Sequence, residues 1–363
     1  MPGIYTHNKI FRETILSLSK RKKKNYLLRS VESIFTDWTR FKSGLFGSIG
    51  PNIFDYIPSR NKTNPYCHEI SFALHNGFSE KFIRKMITDI YSSSDRNNEW
   101  TAIQRAYLYG FISHAVADAV IHPFIFYLSG FPNNFSKNEI AFFREQNLFI
   151  SYNIDNYNLF SAGKKPEYNL NINDMIPLEL KSKIKKIIPP VRNLILKTIQ
   201  DTLPGQSIEL KLLKRNKTTL ENEKMTRLDL IPYLMPISYK IKHTGNEKLR
   251  NFIFKLRDRY HFYSDFIVRY PDPKKFNSHI LNHHRERWQY PAGQIGARYE
   301  SIDNLMNIAV EKTADIWIAL EEGMYDKINE KNLSDLSLNL YTGEKGVDYF
   351  KMHHKNPVKL KLF

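Results

Sequence analysis

The stretch GFISHAVADAVIHPF, residues 110–124, decides how the rest of this chain is read. His114, Asp118 and His122 recur at every fourth position. An α-helix turns about 100° per residue, so each step of four drifts only about 40° and the three side chains share one stripe. Between them stand Ala115, Val116, Ala117, Ala119, Val120 and Ile121. A helix that is apolar nearly all round is a buried one. Burying an unpaired carboxylate is costly, so three ionisable groups on such a helix need partners. A divalent cation supplies one, and imidazole with carboxylate is a donor set that zinc accepts. Without a metal, the same residues form a His–Asp hydrogen-bond ladder, and the spacing alone leaves both readings open. Pro123 disfavours helical geometry at the residue before it. His122 is therefore expected at a helix terminus, turned toward a second ion.

Around this stretch most of the chain reads as helix. Helical patterns are expected over residues 10–20, 80–91, 101–127, 140–155, 241–270 and 301–321. Residues 46–59, FGSIGPNIFDYIPS, read as an ordered loop with apolar anchors. Residues 161–171 read as loop and 215–223 as an exposed polar stretch. The pattern over 176–203 is basic and apolar at helical spacing, but Pro189 and Pro190 must break or kink it. No internal repeat is evident. The expected organisation is one helical domain from residues 1–160 and 240–325. A basic helical insertion at 161–239 interrupts it, and a loosely attached tail follows at 326–363.

Composition narrows the classes. The chain has 363 residues, 42% hydrophobic and 25% charged, with 24 Phe and 21 Tyr, so it is rich enough in apolar and aromatic side chains to build a large core. Cys67 is the only cysteine, which excludes an intrachain disulfide and a cysteine zinc finger. The N-terminal residues MPGIYTHNKIFRETIL lack the basic-then-apolar order of a secretory signal. No apolar run of about 18 residues is seen, so no membrane span and a cytoplasmic location are expected. The formal net charge of +17 suits an anionic partner such as a phospholipid surface or nucleic acid, although solvated lysines account for it slightly better. No nucleic-acid-binding signature sharpens that alternative.

Further histidines accompany the stripe. His7 ends PGIYTH, His75 lies in LHNGF, and LNHHRERWQYPAG spans residues 281–293. Taken in order, PGIYTH, GSIGPNIF, LHNGF and GFISHAVADAVIHPF resemble the landmarks of the bacterial zinc-dependent phospholipase C family. The likeness covers residues 1 to about 135, and 281–312 more loosely. It implies an all-α, multi-helix bundle of the zinc-dependent phospholipase C and P1-nuclease type. It also implies one to three zinc ions and hydrolysis of a phospholipid or other phosphodiester. By position, His75, His114 and Asp118 look like one zinc site, His122 begins a second, and His7 resembles a ligand of a third. Asp55 or Glu286 is the candidate base.

Two departures matter. Asn52 stands where the family's loop carries Asp, with Asp55 three residues on. The family's second ligand motif is matched by NLFISYNID, where Asn147 and Ser151 replace ligands and only Asp155 survives. Amide and hydroxyl are poor zinc donors. The second site is thus depleted unless His283, His284 or Glu286 fills it. The alternative reading is a catalytically impaired, metal-stabilised binding protein. His68, His243, His261, His353 and His354 read as surface or hydrogen-bonded histidines, His279 as sharing a face with His283, and Trp288 as core.

Overall fold

A computed structural model describes residues 3–21, 31–57, 67–92, 98–161, 172–179, 184–207, 210, 226–242, 252, 278–293, 296–323 and 330–358. Among them the chain is mostly helical, with no strand and three isolated antiparallel bridges. The helix expected over 241–270 lies outside the described residues beyond Lys242, apart from Phe252, as do His243 and His261. The loop at 162–171 and the polar stretch 215–223 lie outside them too.

Helix α1, Ile4–Lys20, begins six residues before the apolar pattern does. A distant carboxylate starts it. Asp155 accepts hydrogen bonds from Tyr5 N, Thr6 N and Thr6 Oγ1 at 3.3, 2.9 and 2.6 Å. An anion at the first turn satisfies free amides and complements the helix dipole. That cap places His7 inside the helix. Next come α2 (Trp38–Gly47), α3 (His68–Ala73) and α4 (Ser79–Tyr91). A short turn with non-helical backbone at Asn76 and Gly77 separates α3 from α4 and carries His75.

Helix α5, Glu99–Ser129, is the axis of the fold. The Asn98 side chain caps its start by accepting from Thr101 N at 2.7 Å. It does not stop at His122, as the following proline suggested. Pro123 removes a single backbone donor, and the buried Phe124, Ile125 and Leu128 beyond it hold the next two turns in the core. His122 therefore lies mid-helix on the same stripe as His114. By length and composition α5 is apolar enough to cross a membrane, contrary to the expectation that no such run exists. Almost all of it is buried inside the fold, and its polar stripe faces other elements of this chain.

Helix α2 crosses α5 almost backbone to backbone. A Cβ on Gly110 would stand 2.0 Å from Gly44 O, and one on Gly47 would stand 2.1 Å from Tyr107 O. Helix α6 (Lys137–Ser161) lies along α1 and α5. Helix α7 (Pro189–Thr202) starts at the proline pair, where prolines suit a first turn. It buries Val191, Leu194, Ile195 and Ile199 in the core that α5 occupies. Helix α8, Ile231–Lys242, follows. Helix α9 (Ile302–Gly323) packs on α5 and α1 through Trp317, whose ring stacks on Tyr109 at 5.2 Å and whose Nε1 donates to Tyr109 O at 3.2 Å.

The C-terminal stretch is not loosely attached over its described part. Leu336, Leu340, Thr342 and Met352 are buried. Leu340 N donates to His75 O at 2.9 Å, and Val358 N to Leu128 O at 2.7 Å. These residues lie on, between or after two short 3₁₀ helices, Glu330–Ser337 and Tyr349–Lys351, rather than on an α-helix, so their apolar spacing carries no sustained 3.6-residue signal in the sequence.

Candidate metal centre

Four imidazoles converge on one carboxylate. Asp118 Oδ2 lies 2.8 Å from His114 Nε2 and 3.0 Å from His75 Nε2. Its Oδ1 lies 3.2 Å from His7 Nε2 and 3.3 Å from His122 Nε2. All five side chains are fully buried. The rings of His7 and His114 stack at 4.1 Å. His7, His114 and Asp118 each offer a ligand atom, all within 4.8 Å of one another.

The far side of three rings fixes their tautomers. His75 Nδ1 meets Ser71 O at 2.7 Å, His114 Nδ1 meets Ser48 O at 3.1 Å, and His122 Nδ1 meets Leu340 O at 2.6 Å. A carbonyl oxygen only accepts, so each Nδ1 carries the proton. Burial pushes His114 down to about 4 against the pull of Asp118, and drives His122 well below an ordinary imidazole. At neutral pH both are uncharged, and their Nε2 atoms are bare lone pairs aimed at an anion. Among the described residues neither oxygen of Asp118 has a well-aligned hydrogen-bond donor, and Nε2 of His7 and of His122 has no hydrogen-bond partner. Such an arrangement is repulsive without a cation at its centre. With one, it has a familiar form, in which three of the four ligand histidines are oriented by a backbone carbonyl on the other nitrogen.

The surroundings explain why the loop at 46–59 matters. It contributes backbone, through Ser48 O and through Gly50. With φ of 59°, Gly50 sits against the His114 ring, and a Cβ there would stand 2.3 Å from the ring carbons. Asn52, in the family's Asp position, keeps a buried side-chain oxygen with no hydrogen-bond partner among the described residues. Asp55 stands at a partly exposed edge, bonded to His68 Nδ1 at 2.7 Å.

The structure brings His7, His75, His114, Asp118 and His122 to one point. It does not bring Glu286, His283 or His284 to them. Glu286 is 64% exposed and faces His279 at 3.7 Å, while His283 pairs with Asp303 at 3.2 Å and His284 is exposed. His279 and His283 thus have different partners. Asp155 caps α1, and Ser151 Oγ donates to Asn147 O at 2.8 Å within α6. Trp288 is buried in the core, as expected. Sequence reasoning missed Ser71, whose backbone carbonyl orients His75 from one helical turn back and which no residue type at that position would have signalled. It also missed Leu340 and Tyr341, for which no spacing rule exists.

The fold and the site define a helical protein with a buried histidine–carboxylate centre suited to a divalent metal. Family models, curated proteins and solved structures contain no match to this chain, so the phospholipase C likeness rests on its own motifs.

Proposed function

We propose that this protein is a zinc-dependent phosphodiesterase of the phospholipase C type, with His7, His75, His114, Asp118 and His122 holding the metal. The observation that supports it is the set of bare imidazole nitrogens aimed at a buried carboxylate that has no proton donor. When bound, zinc polarises a phosphoryl oxygen and lowers the pKa of its water to about 7. Asp118 balances the charge of the ion, and the carbonyls of Ser48, Ser71 and Leu340 hold three ligand rings in place. Asp55 is the nearer candidate base. Its charge, after burial and the charge of Tyr349, helps push the phenol of Tyr341 well up, and Tyr341 stacks on His75 and His122. One carboxylate shared by four imidazoles favours the low end of one to three ions. A phospholipid or other phosphodiester substrate, peripheral contact with an anionic membrane and a cytoplasmic location belong to the same proposal, and nucleic acid does not.

A specific observation favours a second reading, a metal-stabilised scaffold without turnover. None of the five side chains has exposed surface. Closed sites are the mark of structural zinc, whereas catalytic sites keep a position open to substrate. Elemental analysis of purified protein, paired with hydrolysis of p-nitrophenylphosphorylcholine, separates the two. The phosphodiesterase reading expects zinc in the wild type, none in Asp118→Ala, and turnover that disappears with it. Zinc without turnover selects the scaffold, and folded protein free of metal overturns both.

A further inference from the structure

We infer that the C-terminal segment 336–352 is a clamp that positions two of the metal ligands, so that metal binding and docking of this segment are coupled. The inference rests on the reading of the cluster as a metal centre. One residue carries it. Leu340 N donates to the backbone oxygen of His75 at 2.9 Å, while Leu340 O accepts from His122 Nδ1 at 2.6 Å. The same residue thus holds the main chain of one ligand and the side chain of another. Tyr341 follows, its ring stacked on His75 at 5.1 Å and on His122 at 5.7 Å.

The turn that bears His75 depends on this segment. At Asn76 the backbone leaves helical geometry (φ −96°, ψ 46°), so the helical ladder does not fix the turn. Instead the Asn76 side chain is held on both ends. Its Oδ1 accepts from Asn339 Nδ2 and Tyr349 N, each at 2.8 Å, and its Nδ2 donates to Asp348 Oδ2 at 2.9 Å. A third anchor is steric. Pro123 leaves the Ala119 carbonyl without its i+4 donor, and Gly343 fills that notch, where a Cβ would stand 2.5 Å from Ala119 O and 2.7 Å from Pro123 Cγ.

The coupling follows from geometry. With the ion present, His75 and His122 are drawn toward one centre and Leu340 fits both. With the ion removed, nothing draws the two residues to one centre, so the His122 ring is free to swing off Leu340 O and the His75 main chain to pull away from Leu340 N. Linkage makes the effect reciprocal, so weakening the clamp weakens metal binding.

Hydrogen exchange on the full chain, zinc-loaded and chelator-treated, reads the coupling directly. The Leu340 amide is expected to exchange at least about tenfold more slowly with zinc. Zinc affinity is then measured by competition with a chromogenic chelator. Asn76→Ala and Tyr341→Ala are expected to bind about 10–100-fold more weakly, the usual effect of losing a group that orients a ligand. Tyr341→Phe, which keeps the stacked ring, is expected to match wild type. Equal exchange at Leu340 in the two states overturns the inference, as does unchanged affinity in both alanine variants. If those variants do not fold, the exchange measurement on wild type decides alone. Absence of zinc uptake overturns the metal reading and this inference together.

Discussion

At the scale of single residues, the centre turns on the charge of Asp118. Without metal, its carboxylate faces imidazole lone pairs at 2.8–3.3 Å with no proton between them. Asn at this position loses the charge and gains an N–H that a bare Nε2 accepts. Asp118→Asn is therefore expected to be more stable than wild type in chelator, by about 1–3 kcal/mol, the usual penalty of an unsatisfied buried polar group. In excess zinc the order reverses, because only wild type binds the ion. Thermal unfolding of both proteins in both conditions checks the crossing. Gly50 is the second decisive residue. Gly50→Ala puts a methyl into the His114 ring at a left-handed backbone position, and about 1–3 kcal/mol of stability is expected to be lost. Urea unfolding measures the loss, and zinc affinity is expected to fall with it.

At the scale of elements, the site exists because helices are held in particular relations. The α2–α5 crossing brings the Ser48 carbonyl to His114. Gly110→Leu overpacks that crossing, separates the helices, and is expected to lower stability by more than about 3 kcal/mol with loss of zinc binding. Denaturant titration and metal content report the two effects. Helix α1 depends on its remote cap. Asp155→Ala is expected to cost about 0.5–2 kcal/mol as a lost N-cap and to fray the turn that carries His7, weakening zinc binding without abolishing it. Amide exchange over residues 4–8, faster in the variant, tests this. Most helix positions were legible from apolar spacing, as in α4 and α9. The start of α1 was not, because Asp155 caps it from another helix, and the expectation of a helix terminus at His122 failed because packed side chains carry α5 past Pro123.

At the scale of the whole molecule, α1, the turn after α3, α5 and the C-terminal segment all meet at Asp118. A ligand that binds only the folded state stabilises it, by about 4 kcal/mol at a thousandfold excess over Kd. Chelation is expected to lower the thermal midpoint reversibly, and calorimetry with zinc added back shows whether the midpoint returns. The amino-acid sequence by itself determined the helical class, the buried stripe of His114, Asp118 and His122, and the candidacy of His7 and His75. The class and the stripe follow from local periodicity and from the cost of burying charge, both written in residue spacing, whereas His7 and His75 are candidates through the family resemblance. Tertiary structure alone decided that four imidazoles meet at the one carboxylate of Asp118. It also decided that Ser48, Ser71 and Leu340 set the tautomers, and that Asp155 serves a helix end. The reason is physical. A backbone carbonyl has no side-chain signature, and a contact across more than 200 residues, such as that of His122 with Leu340, leaves no local pattern for a sequence to show.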